Sequence, residues 1–225
     1  MRGQELLEWL SGLPVAERDP ALEEHLGIAG PTPGLKRLGP ELIGYHASGV
    51  AAIVQALAEV PVEQDDVFFD LGAGLGKVVL LAHLLTGATA RGIELQPELV
   101  ARARQAAARL GVSAHVTLSE GDARQADLES GTVFYLYAPF TGAALADVLG
   151  RLARVAAQHK IVVCALGIDL DRQAPWLVAR PTASFWLTVY DSVVSGAPAR
   201  RPRTSPGARG PYTDIVAREQ SRDAR

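Results

Sequence analysis

The chain has 225 residues, 48% hydrophobic and 21% charged, with a net charge of −3. That length suits one domain of middling size with extra segments, and the charged fraction and three tryptophans exclude a wholly disordered chain. A single cysteine excludes a disulfide scaffold and any cysteine-cluster metal site, and −3 excludes a uniformly basic nucleic-acid binder. The five histidines are scattered without metal-ligand spacing, so no metal is expected. Apolar runs such as Val78–Ala82 are far too short to span a bilayer, and the N-terminus lacks a signal peptide's apolar segment. A soluble cytoplasmic protein is expected, and the excess of arginine over lysine, with abundant alanine, suggests a GC-rich bacterial genome.

Residues 1–44 read as a small helical extension. Gln4–Leu13 places Leu6, Leu7, Leu10 and Leu13 on one helical face. Asp19 as N-cap, Pro20 at the first helical position and Gly27 past the end predict a second short helix. Residues 28–44 are Gly/Pro-rich and aperiodic, which suits a surface crossover or a lid over a cleft.

Over residues 45–195 helices and strands alternate. Val50–Val60 predicts a helix, Val67–Phe69 a short buried strand and Leu75–Leu85 a helix. Ala90–Glu94 predicts the next strand, and Pro97 opens a helix closed by Gly111, with Arg102, Arg104 and Arg109 directed to solvent. Strands follow at 114–118 and 132–137, then a helix at about 141–156 and the strand Lys160–Leu166, whose Cys164 reads as core. His83 and His159 are expected on helix surfaces. Trp176–Arg180 and Ser184–Val194, joined by a turn at Pro181, predict an antiparallel closing hairpin. The expected fold class is α/β: a seven-stranded, mostly parallel sheet with helices on both faces. Residues 196–225 carry seven arginines and three acids, a net +4 that leaves −7 for the rest. This Arg/Pro-rich tail is expected to be disordered, as a solvated tail or a contact for an acidic partner or nucleic acid.

The segment Phe68-Phe69-Asp70-Leu71-Gly72-Ala73-Gly74-Leu75-Gly76-Lys77 takes a strand into a helix through an acid and three alternating glycines. Such glycines admit positive φ and let backbone N–H groups approach a ligand, although a plain tight turn uses them too. Gly76 stands one residue too early for the G-x-G-x-x-G of a dinucleotide site, which disfavours a nicotinamide-dependent oxidoreductase. Val78 after Lys77 excludes the phosphate loop G-x-x-x-x-G-K-[ST]. Asp70 would repel a pyrophosphate and suits an ammonium or sulfonium instead. Glu94, ending the next strand, can accept both hydroxyls of a ribose. Asp122, in Glu120-Gly121-Asp122-Ala123, can accept a hydrogen bond from the exocyclic amine of an adenine. Singly, either acid reads as a cap or a loop residue. In order, at strand ends where open α/β sheets bind ligands, the three point to one cationic nucleoside.

These motifs together resemble class I S-adenosylmethionine-dependent methyltransferases, with D-L-G-A-G-L-G as motif I, over about residues 45–195. The resemblance implies a Rossmann-like fold, S-adenosylmethionine as cofactor and S-adenosylhomocysteine as product. It also implies that Asp70, Gly72, Gly74 and Gly76 surround the methionine part, Glu94 the ribose, and Leu95, Asp122 and Ala123 the adenine. Tyr45-His46-Ala47-Ser48, followed by a helix, Asp65-Asp66 and motif I, is similar to the disruptor-of-telomeric-silencing family of histone lysine methyltransferases. That similarity implies cofactor contacts from Tyr45 and Ser48. The family's paired asparagines after the fourth strand are absent here, where the sequence reads Leu136-Tyr137-Ala138-Pro139-Phe140, so a lysine acceptor does not carry over.

Pro139 and Phe140 fit part of the pattern of amine-methylating enzymes, and equally a rigid turn with Thr141 as N-cap. Tyr137 could touch the cofactor, shape an apolar substrate pocket or donate its hydroxyl. His46 is the candidate base for a protonated acceptor, and equally a surface histidine. Tyr190 and Asp191 could border the substrate pocket or simply pack an edge strand. The expected partner is a small-molecule or peptide/protein acceptor, methylated on nitrogen or oxygen, with neither nucleic acid nor membrane; oligomeric state stays open. A non-catalytic cofactor-binding partner or sensor module is the alternative.

Overall fold

A computed structural model describes residues 1–30, 39–182, 184 and 186–193. The 196–225 tail, and residues 31–38 of the Gly/Pro-rich connection, lie outside the described residues. Helices α1 (Gly3–Gly12), α2 (Val15–Leu26) and α3 (Val50–Glu59) come first. The body follows as β1 (Val67–Leu71), α4 (Lys77–Thr86), β2 (Thr89–Glu94), α5 (Pro97–Arg109), β3 (Val116–Glu120) and β4 (Val133–Tyr137). It ends with α6 (Gly142–Gln158), β5 (Val162–Leu166), β6 (Leu177–Arg180) and β7 (Leu187–Ser192).

The seven strands form one sheet in the order β3-β2-β1-β4-β5-β7-β6, so the expected fold class is the observed one. Strands β1 to β5 are parallel, and β7 runs antiparallel to both neighbours. Because β1 is covered on both faces, its residues alternate between two cores rather than between core and water. Phe68 packs toward Tyr135 on one face, while Phe69 stacks on Phe134 on the other, centroids 5.4 Å apart. The chain runs outward from β1 through β2 to β3 and then crosses back to β4 on the other side of β1, and this reversal opens a crevice above the carboxyl ends of these strands.

The N-terminal helices share the core of one face. Leu6, Leu7, Leu10, Leu22 and Leu26 belong to the same apolar cluster as Val79 and Leu80 of α4. The arginines of α5, expected in solvent, fasten this extension. Arg109 donates to the His25 carbonyl at 2.8 Å, and Arg102 to those of Ile28 and Ala29 at 3.0 and 3.1 Å. They satisfy carbonyls that the end of α2 leaves without intrahelical partners. Arg104 donates instead to Leu118 O at 2.8 Å.

Three local expectations are corrected. Helix α2 starts at Val15, so Pro20 lies inside it and Asp19 does not cap it. Asp19 instead accepts the Val50 N–H, at 3.0 Å, and caps α3. Thr141 occupies the N-cap position of α6, but its hydroxyl donates to Glu41 O at 3.3 Å and makes no capping bond to the helix. The Glu41 carboxylate does that work, accepting from Ala143 N at 3.0 Å and Ala144 N at 3.1 Å. His83 is buried, not on a helix surface: its Nδ1 lies 2.8 Å from Ala88 O and its ring stacks on His115.

Candidate functional site

Motif I runs from the end of β1 into α4. Gly72 and Ala73 both donate to Ile93 O at 2.9 Å, which bends the loop over the end of β2. Gly74 (φ +53°) lies under the ring of Tyr45, and a Cβ there would collide with that ring. Gly72 (φ +97°) faces Pro139, whose Cβ would stand 2.9 Å from an added methyl. The glycines therefore serve both positive φ and close approach.

Glu94 is buried at the end of β2 and already engaged. Its Oε2 accepts from Gly74 N and its Oε1 from Gln96 N, each at 2.9 Å. Each carboxylate oxygen retains a lone pair for a further donor. Asp70 is different: it is buried, and no donor among the described residues bonds its carboxylate. Burial, and secondly the neighbouring Glu94, push its carboxyl up to about 8. An unpartnered buried carboxylate beside a second one favours a cation from outside. Tyr45 is half-buried, and burial followed by the Glu23 charge pushes its phenol up to about 12, so it serves as a neutral hydroxyl.

The crevice has two joined compartments. The first is lined by Tyr45, His46, Ser48, Asp70, Lys77 and Tyr137. The second is lined by Leu42, Leu95, Gly121, Ala123 and Phe140. Ile43, Gly72, Glu94 and Pro139 border both. The turn after β4 builds this shared wall. Ala138 takes φ +38°, the one positive φ of a non-glycine among the described residues. Beyond it Pro139 O accepts from Ile43 N at 3.1 Å, and Leu42 pairs with Phe140. Ile43 and Tyr137, each 42% exposed, are left as apolar groups at the mouth.

Most of the expected site residues therefore converge: Tyr45, His46, Ser48, Asp70, Gly72, Glu94, Leu95, Ala123, Tyr137, Pro139 and Phe140 all border the crevice. Gly74 and Gly76 shape the loop beneath it. Asp122 stands between two lining residues, but its carboxylate faces a separate depression. Arg124 holds it there through both oxygens at 2.6–3.0 Å, which also keeps its carboxyl below the usual range. Tyr190 and Asp191 are not at this site. Since β7 runs backwards, Asp191 pairs with Val162 at the start of β5, the end of the sheet opposite the crevice. Tyr190 is buried and accepts from Leu170 N at 3.1 Å, while Asp191 forms a two-pronged ion pair with Arg180.

The comparisons agree with this geometry. The family model of the histone methylation protein DOT1 matches residues 45–115. An RNA methyltransferase from Salinibacter ruber, solved with S-adenosylhomocysteine, is similar at 27% identity and a TM-score of 0.53, over 73% of this chain and 99% of its own. This chain is a class I S-adenosylmethionine-dependent methyltransferase. S-adenosylmethionine is accordingly its cofactor. A geranyl diphosphate C-methyltransferase from Streptomyces coelicolor A3(2), solved with Mg2+, geranyl diphosphate and S-adenosylhomocysteine, shares the fold at 14% identity and a TM-score of 0.51. That likeness covers 63% of this chain and 79% of that one. No curated protein matches significantly in sequence.

Sequence reasoning missed several parts of this methyltransferase's site. Lys77 served only to exclude a phosphate loop, yet it is buried and lines the first compartment. Gln96 is buried there too, and Leu42 and Ile43 supply a wall. Lys77's place within motif I was a usable signal; nothing in the local sequence marked the other three. Among the described residues no helix is long and apolar enough to cross a membrane, and no cluster of His, Cys, Asp or Glu could hold a metal.

Proposed function

We propose that this methyltransferase binds its cofactor along the crevice with the methionine end in the first compartment and the adenine end in the second. Asp70 would take the cationic end, with the Gly72–Gly76 loop, Tyr45 and Ser48 around it. Glu94, at the border of both compartments, would accept the ribose hydroxyls, and Leu95 and Ala123 would flank the base, with Asp122 at its outer rim. The observation that carries the reading is the buried Asp70, unpartnered among the described residues, in the first compartment of a crevice whose two compartments Glu94 borders. When bound, the cofactor supplies an activated methyl group on a sulfonium. The protein's own part is to hold the acceptor in line with it and to keep water out.

The acceptor enters at the mouth, between Ile43, His46, Tyr137 and Pro139, and is a nitrogen or oxygen of a small molecule or peptide side chain. His46 would accept a proton where the acceptor carries one, and the Tyr137 ring would support an apolar part of it. RNA, the substrate class named for the Salinibacter enzyme, is disfavoured here. Among the described residues Lys77 is the one lysine or arginine lining the crevice, and it is already ion-paired with two acids. We place the protein in the cytoplasm on the sequence arguments above. Calorimetry with S-adenosylhomocysteine tests the reading, and binding is expected in the micromolar range and lost in Asp70→Ala and Glu94→Ala. Absence of binding to the intact protein would overturn it. A methyl-transfer assay over amine, hydroxyl and peptide acceptors then identifies the substrate class.

A further inference from the structure

Residues 42–48 run the length of the crevice: Leu42 and Ile43 line the second compartment, and Ile43 through Ser48 line the first. The other lining residues belong to strand ends, the loops after them and the first turn of α4, so this segment forms the wall that faces them. Its two ends are held differently. At one end Ser48 is buried and Val50 opens α3, whose Ile53, Val54 and Leu57 are core. At the other, hydrogen bonds attach it to the turn after β4 and to the start of α6. Ile43 N donates to Pro139 O at 3.1 Å and Thr141 N to Glu41 O at 2.9 Å, while the Glu41 carboxylate takes the Ala143 and Ala144 N–H groups. Gly142 (φ +54°) makes room for that carboxylate, since a Cβ there would stand 2.6 Å from Glu41 Oε1. The carboxylate also meets the positive end of the 17-residue α6. Between the two attachments Ile43, Gly44, His46 and Ala47 are exposed.

We propose that Glu41 is a positioning residue of the cofactor crevice: its cap on α6 holds residues 42–44 as the outer wall, and S-adenosylhomocysteine enters and leaves by release of that cap. The inference rests on the cofactor placement above, which lays the ligand along both compartments against this segment. The opposite side offers no exit, because Asp70, Glu94 and Ala123 are buried at the strand ends. The segment gives way first where its bonds are few and reached by water. That place is the Glu41 end, since the other end moves only if α3 unpacks from the core. Product release limits turnover in many enzymes, so such a cap bears on rate as well as affinity. A purely structural cap would stabilise α6 and leave the exchange of ligand unaffected.

Exchange kinetics separate the two roles. Surface plasmon resonance on the full chain, with S-adenosylhomocysteine as analyte, gives both rate constants. Glu41→Ala should speed dissociation at least fivefold and speed association too, so the equilibrium constant moves less than the dissociation rate. Glu41→Gln keeps the length and one acceptor oxygen without the charge, and should fall between the two. If Glu41→Ala fails to fold, a cross-link carries the test. Leu42 and Phe140 are partners in an isolated antiparallel bridge, which sets their Cα atoms roughly 4.5–5.5 Å apart, within disulfide range. The Leu42→Cys/Phe140→Cys variant, oxidised with diamide, should exchange the ligand at least tenfold more slowly than the same variant reduced with a phosphine; Cys164 is buried. Dissociation within twofold of wild type in folded Glu41→Ala, or equal exchange in the oxidised and reduced double variant, overturns the proposal. Failure of the wild type to bind S-adenosylhomocysteine would instead overturn the cofactor placement itself.

Discussion

Titrating ligand affinity between pH 6 and pH 7 isolates Asp70. Its carboxyl is pushed up to about 8 by burial and by Glu94, so the ligand-free protein holds a proton there at neutral pH. A cation seated against Asp70 recruits the ionised form, and binding must expel that proton. Affinity therefore rises with pH until the free carboxyl ionises unaided. S-adenosylhomocysteine is the suitable ligand, because its α-ammonium is its single cation. From the free-state value of about 8, its affinity should rise close to tenfold over this one pH unit, or ~1.4 kcal/mol. Calorimetry in buffers of differing ionisation enthalpy should register release of roughly 0.9 proton per ligand at pH 7. Asp70→Asn should abolish both the slope and the proton release while weakening binding. It should also raise the melting temperature of the ligand-free protein by several degrees. The sign follows from the raised folded-state value: the native carboxyl retains its proton where the unfolded one has lost it, so stability drains away as pH climbs from about 4 toward 8. A flat affinity between pH 6 and pH 7, without proton release, would refute the role given to Asp70.

Three further outcomes are expected. Gly74→Ala puts a methyl into the Tyr45 ring at a position with φ +53°; S-adenosylhomocysteine affinity should drop tenfold or more with the far-ultraviolet spectrum unchanged. Tyr137 lines the first compartment at its exposed mouth, so Tyr137→Ala should lower methyl transfer to the true acceptor at least tenfold in steady-state assays, well beyond any loss of cofactor-product affinity. His83 is held below its ordinary pKa chiefly by burial. As pH falls below about 6.5 the unfolded chain takes up a proton that the native imidazole refuses, so stability declines. Urea midpoints should fall between pH 7 and pH 5, and His83→Gln should flatten that slope; an identical slope in the variant would count against the buried imidazole as its source.

The strand ends were legible because burial on both faces writes β1 as an unbroken apolar run, and an acid at its tip is conspicuous. Asp70, Glu94 and the motif I glycines could thus be assigned to one crevice before any coordinates. What stayed hidden was set by residues far apart in sequence. Asp19-Pro20 has the form of a local helix start, yet Asp19 caps α3, 31 residues on. Glu41 likewise caps α6 from 102 residues before it, at Ala143. The arginines of α5 looked like a solvated face because helical periodicity records hydrophobicity, and says nothing of carbonyls waiting at the end of α2. His83 was expected on a helix surface, but α4 is buried nearly all round, which leaves periodicity no polar face to mark. Tyr190 and Asp191 were misplaced for a directional reason: a residue late in an antiparallel strand lies at the opposite end of the sheet from one late in its parallel neighbours.

The central claim is the placement of the cofactor, and a crystal structure with S-adenosylhomocysteine tests it most directly. The ribose hydroxyls should lie within hydrogen-bond reach of Glu94, the adenine against Leu95 and Ala123, and the ammonium at Asp70. Ligand bound elsewhere, or in this crevice with the adenine at Tyr45 and the amino acid at Ala123, would contradict the account.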